Sequence, residues 1–156
     1  MDREGTRFRF RHAVDVRFKD IDVGGHAHHS HALVYFEEAR WAYWRSVVGV
    51  GDAAVVDHIL AEASVRYHRR VLWPLRLDVL VRVAKLGKKH LEMEYQALSP
   101  AGELLISGST VQVWYDYRTS RTVRIPGRVR AALEEYDGPF KKSRRAESDE
   151  EPARGP

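Results

Sequence analysis

The chain has 156 residues, 44% of them hydrophobic, which suits one domain around a single core. It has no cysteine, which excludes a disulfide framework, a thiolate zinc site and a cysteine nucleophile and suits a reducing cytoplasm. The net charge is +4, but 26 Lys and Arg are interleaved with 22 acidic residues, with no RNP-like aromatic motif and no basic recognition helix, so no nucleic-acid partner is expected.

The opening residues MDREGTRFRFRH contain no apolar h-region, so no secretory signal is expected. No apolar run approaches the roughly 18 residues of a membrane span, so no membrane partner is expected either, and the expected location is the cytoplasm. Residues 7–18, RFRFRHAVDVRF, alternate and predict a strand, bulged near His12 and Ala13. Residues 30–48 predict a helix with Ser30 as N-cap and Gly49 and Gly51 as its end. Its apolar residues Ala32, Tyr35, Phe36, Ala39, Ala42, Tyr43 and Val47 recur at helical spacing. Leu33, Val34, Trp41, Trp44 and Val48 widen the apolar zone around most of the cylinder, so this helix requires burial on more than one side.

Four further alternating runs predict strands: 63–68, 75–83, 91–97 and 104–117. Gly87-Lys88, residues 99–102 and Arg118-Thr119-Ser120 suit hairpin connections, and a short strand at 121–125 would extend the sheet. Pro126 and Gly127 open a second helix through Tyr136, with Val129, Leu133 and Tyr136 on one face. Residues 141–156, KKSRRAESDEEPARGP, lack aromatic and large aliphatic side chains and predict a disordered, charged tail after a domain spanning 1–140. The fold class is α+β: a strongly curved antiparallel sheet of five or six strands wrapped around one long helix. Such a sheet leaves an edge and a face that a second copy would pair with or cover.

The chemistry concentrates in residues 20–31, DIDVGGHAHHSH, just ahead of the long helix. Three readings compete there: a metal site, a catalytic loop and a polar helix entry. His26, His28, His29 and His31 lack the His-Glu-x-x-His pattern, and neighbours on an extended chain face apart, so no metal is expected. Asp22 suits either a reactive carboxylate or an Asx-turn, and Asp20 reads as a structural loop acid.

Taken with the helix that follows, these residues resemble the hotdog superfamily, in its 4-hydroxybenzoyl-CoA thioesterase-like branch. The segments that carry the resemblance are Asp20-Ile21-Asp22, the loop Val23-Gly24-Gly25-His26, and Tyr35-Phe36-Glu37-Glu38-Ala39-Arg40 opening the central helix. Leu86-Gly87 before Lys88-Lys89-His90, and Val111-Gln112-Val113 in the last long strand, add weaker matches, so the likeness spans roughly residues 10–136. The helix entry differs: relatives usually carry Asn-Asn or Tyr-His-Ala-Asn, and this chain carries His28-His29-Ser30-His31.

The resemblance implies an acyl-CoA thioesterase with Asp22 as nucleophile or general base. His29 would orient substrate or water, and the backbone amides at His29 and Ser30 would polarise the thioester carbonyl. Gly25 and His26 would lie against the substrate, with Glu37 in the acyl pocket. Arg69, Arg70, Lys88 and Lys89 are candidates for the CoA phosphates, or else solvated strand-end charges. No cofactor or metal is implied, since CoA enters as part of the substrate. The expected assembly is a homodimer or homotetramer. A non-catalytic acyl-CoA or acyl-carrier-protein binding module is the alternative.

Overall fold

The structure is a computed structural model and describes residues 8–49 and 57–140. Its elements are β1 (Phe10–Asp15), α1 (His31–Tyr43), β2 (His58–Tyr67), β3 (Arg76–Leu86), β4 (His90–Leu98), β5 (Leu104–Asp116), β6 (Arg121–Thr122) and α2 (Gly127–Asp137). The main sheet is antiparallel, in the order β1-β3-β4-β5-β2, with the two-residue β6 paired to β5. β1 and β2 are therefore its two edges.

Alternation sets which side chains enter the core. Leu77, Val79, Val81 and Val83 of β3 and Leu91, Met93, Tyr95 and Ala97 of β4 are all fully buried. The curled sheet turns this apolar face onto α1, which buries Ala32, Tyr35, Phe36, Ala39 and Tyr43. Phe36 stacks on Tyr95 with centroids 4.6 Å apart and planes 13° apart. It also reaches β5 at Gly108, where a Cβ would stand 2.7 Å from the Phe36 ring and 2.4 Å from the Ser64 carbonyl oxygen. A residue without a side chain is required at that crossing. α2 closes the far end: Asp137 accepts hydrogen bonds from the Tyr43 hydroxyl at 2.6 Å and the Val83 amide at 2.8 Å.

Several expected boundaries move. No bulge occurs at His12 and Ala13, because β1 pairs without a break from Phe10 with Val81 to Asp15 with Arg76. β1 spans Phe10–Asp15 only, and the chain then turns through a 3-10 turn at Phe18–Asp20 that leaves Phe18 exposed. β2 starts at His58, five residues earlier than expected, and its bulge lies between Leu60 and Glu62. The central helix is α-helical only to Tyr43, continues as a π turn through Val48, and ends at Gly49 with φ of 74°. Ser30 stands at the cap position with helical dihedrals and no capping side-chain bond. Its hydroxyl lies 2.9 Å from His28 Nδ1 instead. Gly51 and the charged segment 141–156 lie outside the described residues.

Candidate active site

The loop ahead of α1 is tightly tied. Ile21 and Ala27 form an isolated antiparallel bridge, and the Asp22 N–H donates to the His26 carbonyl at 3.0 Å. The Gly25 N–H donates to the Asp22 carbonyl at 3.0 Å, with Gly25 in the left-handed region at φ of 78°. The Asp22 side chain makes an Asx-turn, its Oδ1 accepting from the Gly24 N–H at 2.8 Å. This anchors one carboxylate oxygen, Oδ1. A Cβ on Gly24 would stand 3.0 Å from Asp22 Oδ1 and 3.2 Å from His26 Nε2, so a larger residue there requires both side chains to give by a few tenths of an ångström.

Asp20, two residues earlier, works inward. It is fully buried and accepts from the Arg17 N–H at 2.9 Å and the Tyr35 hydroxyl at 2.9 Å. Burial raises its carboxyl pKa, but these two hydrogen bonds and the nearby His31 and Arg17 outweigh that and hold it below the usual value. Tyr35 carries the converse shift: burial and the Asp20 carboxylate push its hydroxyl pKa up, so it stays a donor. Asp20 thereby fixes the start of α1 from behind, and its carbonyl accepts the His28 N–H at 2.8 Å.

The entry turn of α1 is held from the front by β2. The Tyr67 hydroxyl donates to the His29 carbonyl at 2.6 Å. The His31 N–H bonds to the His28 carbonyl at 2.9 Å and the Ser30 N–H to His28 Nδ1 at 3.3 Å. His29 lends its carbonyl to these bonds and its amide to none of them. The His28 and His29 rings lie 3.9 Å apart. Among the described residues, no group of three or more His, Asp or Glu side chains is arranged to hold a metal ion.

These elements enclose a cavity of about 350 Å³ lined by Asp22, His26, Ala27, His28, His29, Ala32, Tyr35, Tyr67, His68, Arg69, Arg70, Val71 and Ile106. Of the expected site residues, Asp22, His26, His29, Arg69 and Arg70 meet on this one cavity, and Gly25 and Ser30 belong to the loop and turn that shape it. Arg69 also pairs with Glu103 at 2.7 Å. Glu37 lies elsewhere, in a second cavity beside the later turns of α1. Lys88 and Lys89 sit at the opposite end of the sheet: the Lys89 carbonyl accepts the Trp114 N–H, eight residues along β5 from Ile106, or about 26 Å. Tyr35, Tyr67 and His68 line the cavity without having been expected to. Tyr67 and His68 immediately precede the Arg69-Arg70 pair, and that adjacency was the available signal.

A family model described as the thioesterase-like superfamily matches residues 16–133. The chain belongs to the thioesterase-like superfamily. Its fold is the hotdog fold of that superfamily, with the sheet curled around α1. An uncharacterized protein of Bacillus subtilis strain 168, YsmA, is 26% identical over 118 residues, covering 76% of this chain and 80% of that protein. A thioesterase of Thermus thermophilus, solved in complex with coenzyme A and zinc, is 30% identical with a TM-score of 0.73, over 82% of this chain and 93% of that one. The PA5185 protein of Pseudomonas aeruginosa PAO1 shares the fold with a TM-score of 0.75 and 24% identity, over 86% of this chain and 95% of that one.

Proposed function

We propose that the protein is an acyl-CoA thioesterase that hydrolyses an acyl-CoA, or acyl-carrier, thioester at the cavity before α1. The observation that carries this reading is the position of Asp22, which has one oxygen anchored by Gly24 and lines the same cavity as the entry turn of α1. The coenzyme A held by the Thermus protein supports CoA as the carrier.

In the reaction, the thioester carbonyl accepts from the His29 amide, and from the Ser30 amide once that leaves His28 Nδ1, at the helix N-terminus where partial positive charge collects. Negative charge grows on that oxygen as the carbonyl is attacked, so these donors favour the transition state over the ground state. Asp22 Oδ2 attacks the carbonyl carbon, the C–S bond breaks, CoA leaves as a thiolate that takes a proton, and water then hydrolyses the mixed anhydride. Alternatively Asp22 takes a proton from water, whose oxygen attacks the carbonyl directly; the tetrahedral intermediate then breaks its C–S bond and CoA leaves as a thiolate that takes up a proton. His29 orients substrate or water, Gly25 and His26 border the substrate, and Arg69 and Arg70 on the cavity wall meet the anionic carrier. Neither route draws on a metal or a cofactor. The cysteine-free composition accords with a cytoplasmic enzyme, and no helix among the described residues is long and apolar enough to cross a membrane.

The functional unit is a homodimer or homotetramer. β2 is an edge strand with most side chains exposed, and Leu33, Val34 and Trp41 of α1 and Leu60 and Tyr67 of β2 are large apolar side chains left partly exposed. If two copies pair antiparallel along β2, the His58 end of one meets the Tyr67 end of the other. That pairing carries the Lys88-Lys89 corner of a second copy toward this cavity, and so reunites the basic residues that one chain keeps apart.

A panel of aromatic and short to long aliphatic acyl groups, on CoA and on carrier protein, tests the reading by release of free thiol. Turnover of at least one class supports it. Tight binding of acyl-CoA with no thiol released across the whole panel would instead make the protein a binding module.

A further inference from the structure

Two peptide units form the turn that enters α1, His28–His29 and His29–Ser30, and their N–H groups are the two donors assigned to the thioester carbonyl. A trans peptide is planar, so its N–H points opposite to its C=O, and whatever holds the carbonyl also aims the amide. Neither unit is among the cis peptides of the described residues. The helix itself aims the first unit: the His28 carbonyl accepts the His31 N–H at 2.9 Å. It does not aim the second. The Ala32 N–H, the helix's own donor to the His29 carbonyl, stands at 3.4 Å, too far for a strong bond. Ser30 adds no capping bond. The His29 carbonyl is held instead from β2, by the Tyr67 hydroxyl at 2.6 Å, across 38 positions of sequence.

Tyr67 is the last residue of β2 and pairs in register with the buried Ile106 of β5, and both line the first cavity. The chain after it is pinned as well, since the His68 and Arg69 N–H groups donate to the Leu105 carbonyl at 2.8 and 3.1 Å. A carbonyl oxygen can only accept, so the hydroxyl is the donor, and partial burial pushes its pKa up and keeps the proton in place. That single proton is engaged by His29, so Tyr67 has none to offer a substrate. Its influence passes through the peptide. A hydrogen bond on the carbonyl polarises the amide and strengthens its N–H as a donor. The far side of the same peptide is only lightly occupied: the Ser30 N–H meets His28 Nδ1 at 3.3 Å, and the Ser30 hydroxyl stands closer to that nitrogen, at 2.9 Å. The His28 side of this bond belongs to the lining of the cavity, so an oxygen that replaces Nδ1 there lies at the cavity wall.

We propose that Tyr67 is a positioning residue for thioester hydrolysis: by holding the His29 carbonyl it aims and strengthens the Ser30 N–H that meets the charge developing on the thioester oxygen. Tyr67 touches no reacting atom, and Asp22 remains the reactive group. The proposal rests on the hydrolytic reading of the first cavity. Charge on that oxygen is greatest in the transition state, so loss of the Tyr67 hydroxyl lowers kcat and leaves KM nearly unchanged.

The test compares the full-length protein with Tyr67→Phe, which keeps the ring and removes the hydroxyl. On an acyl-CoA that the parent hydrolyses, kcat should fall about ten- to thirtyfold with KM within about twofold, a smaller loss than the roughly 10²–10³ that follows outright removal of an oxyanion donor. The second readout is the peptide itself. The sequence contains a single His-Ser dipeptide, at 29–30, so carbonyl-13C histidine combined with 15N serine singles out that unit. Its carbon and nitrogen resonances should both move in Tyr67→Phe. A non-cleavable ketone analogue of the acyl-CoA, with methylene in place of sulfur, should shift its amide proton saturably in the parent and distinctly less in Tyr67→Phe at saturation. Turnover by the parent with an unchanged kcat in Tyr67→Phe overturns the proposal and leaves the hydrolytic reading standing, as does a loss confined to KM. No turnover by the parent on any thioester overturns both. Should Tyr67→Phe not fold, the labelled peptide of the unmodified protein decides: no saturable shift with the ketone analogue overturns the proposal.

Discussion

Gly108 is where the central helix and the sheet come closest, and a single methyl group there tests the packing directly. In Gly108→Ala the new Cβ would stand 2.4 Å from the Ser64 carbonyl oxygen and 2.7 Å from Phe36 Cε2. Neither neighbour yields easily. The Ser64 carbonyl lies in the β2–β5 ladder, where Val65 pairs with Gly108 and Ser64 with Ser109. The Phe36 ring is fully buried and stacked on Tyr95. Overpacking of this kind typically costs about 1–3 kcal/mol, and replacing glycine in a compatible strand position returns about 0.5–1 kcal/mol through the unfolded chain. With two rigid contacts the upper part of the range applies, so a net loss of about 2 kcal/mol is expected, or about 4–8 °C in Tm for a chain of this size. Urea unfolding at fixed protein concentration measures it, with an unchanged m-value marking a change in the native state. Gly127→Ala is the internal control: nothing lies within 4 Å of its added Cβ, and it should stay within about 0.5 kcal/mol of the parent. Equal stability of the two variants would refute the stated packing of helix on sheet.

Three other outcomes follow from the geometry. His58 has a folded pKa of about 4 against 6.5 when free, so below 6.5 the unfolded chain binds a proton that the native state refuses. Stability should therefore fall by up to about 3 kcal/mol as pH drops from 7 to 4; His58→Gln should flatten the slope in urea titrations run across that window, and an unchanged slope counts against the buried neutral ring. Tyr35→Phe removes a 2.9 Å donor from the buried Asp20 carboxylate and should cost about 1–3 kcal/mol by the same measurement, whereas a neutral effect would mean that Asp20 does not need it. Light scattering should report a dimer or tetramer, and an 18 kDa monomer that still hydrolyses thioesters would remove the interface from the account.

Most of the fold was legible because its strands keep strict alternation. β4, and β3 from Leu77 to Val83, bury every second residue. The expected bulge in β1 failed for an identifiable reason: Phe10, His12 and Val14 all occupy even positions, so within Phe10–Asp15 His12 keeps the phase of its apolar neighbours and the pairing with β3 is unbroken. β2 was read too short for the opposite reason, since the irregularity between Leu60 and Glu62 shifts the phase and hides the residues before it. The cap assigned to Ser30 was outcompeted by a histidine two residues away, a side-chain choice that propensity does not encode. In the site, the Asp22 loop was legible from its glycines and its place before α1. Tyr67 and His68 carried only the signal of their adjacency to Arg69 and Arg70, because they reach the cavity through the pairing of β2 with β5, a contact between residues far apart in sequence.

The central claim is that Asp22 performs the chemistry at the entry of α1. The direct measurement is steady-state turnover of Asp22→Asn on whichever acyl-CoA the panel identifies, beside acyl-CoA binding and chelator treatment of the parent. The substitution keeps the size and can still accept the Gly24 N–H, so the loop should hold its shape. The account predicts a fall in kcat of about a hundredfold or more with binding nearly unchanged, and no effect of the chelator. Undiminished turnover in Asp22→Asn, together with activity lost on chelation, would contradict it and return the loop histidines to the role of metal ligands.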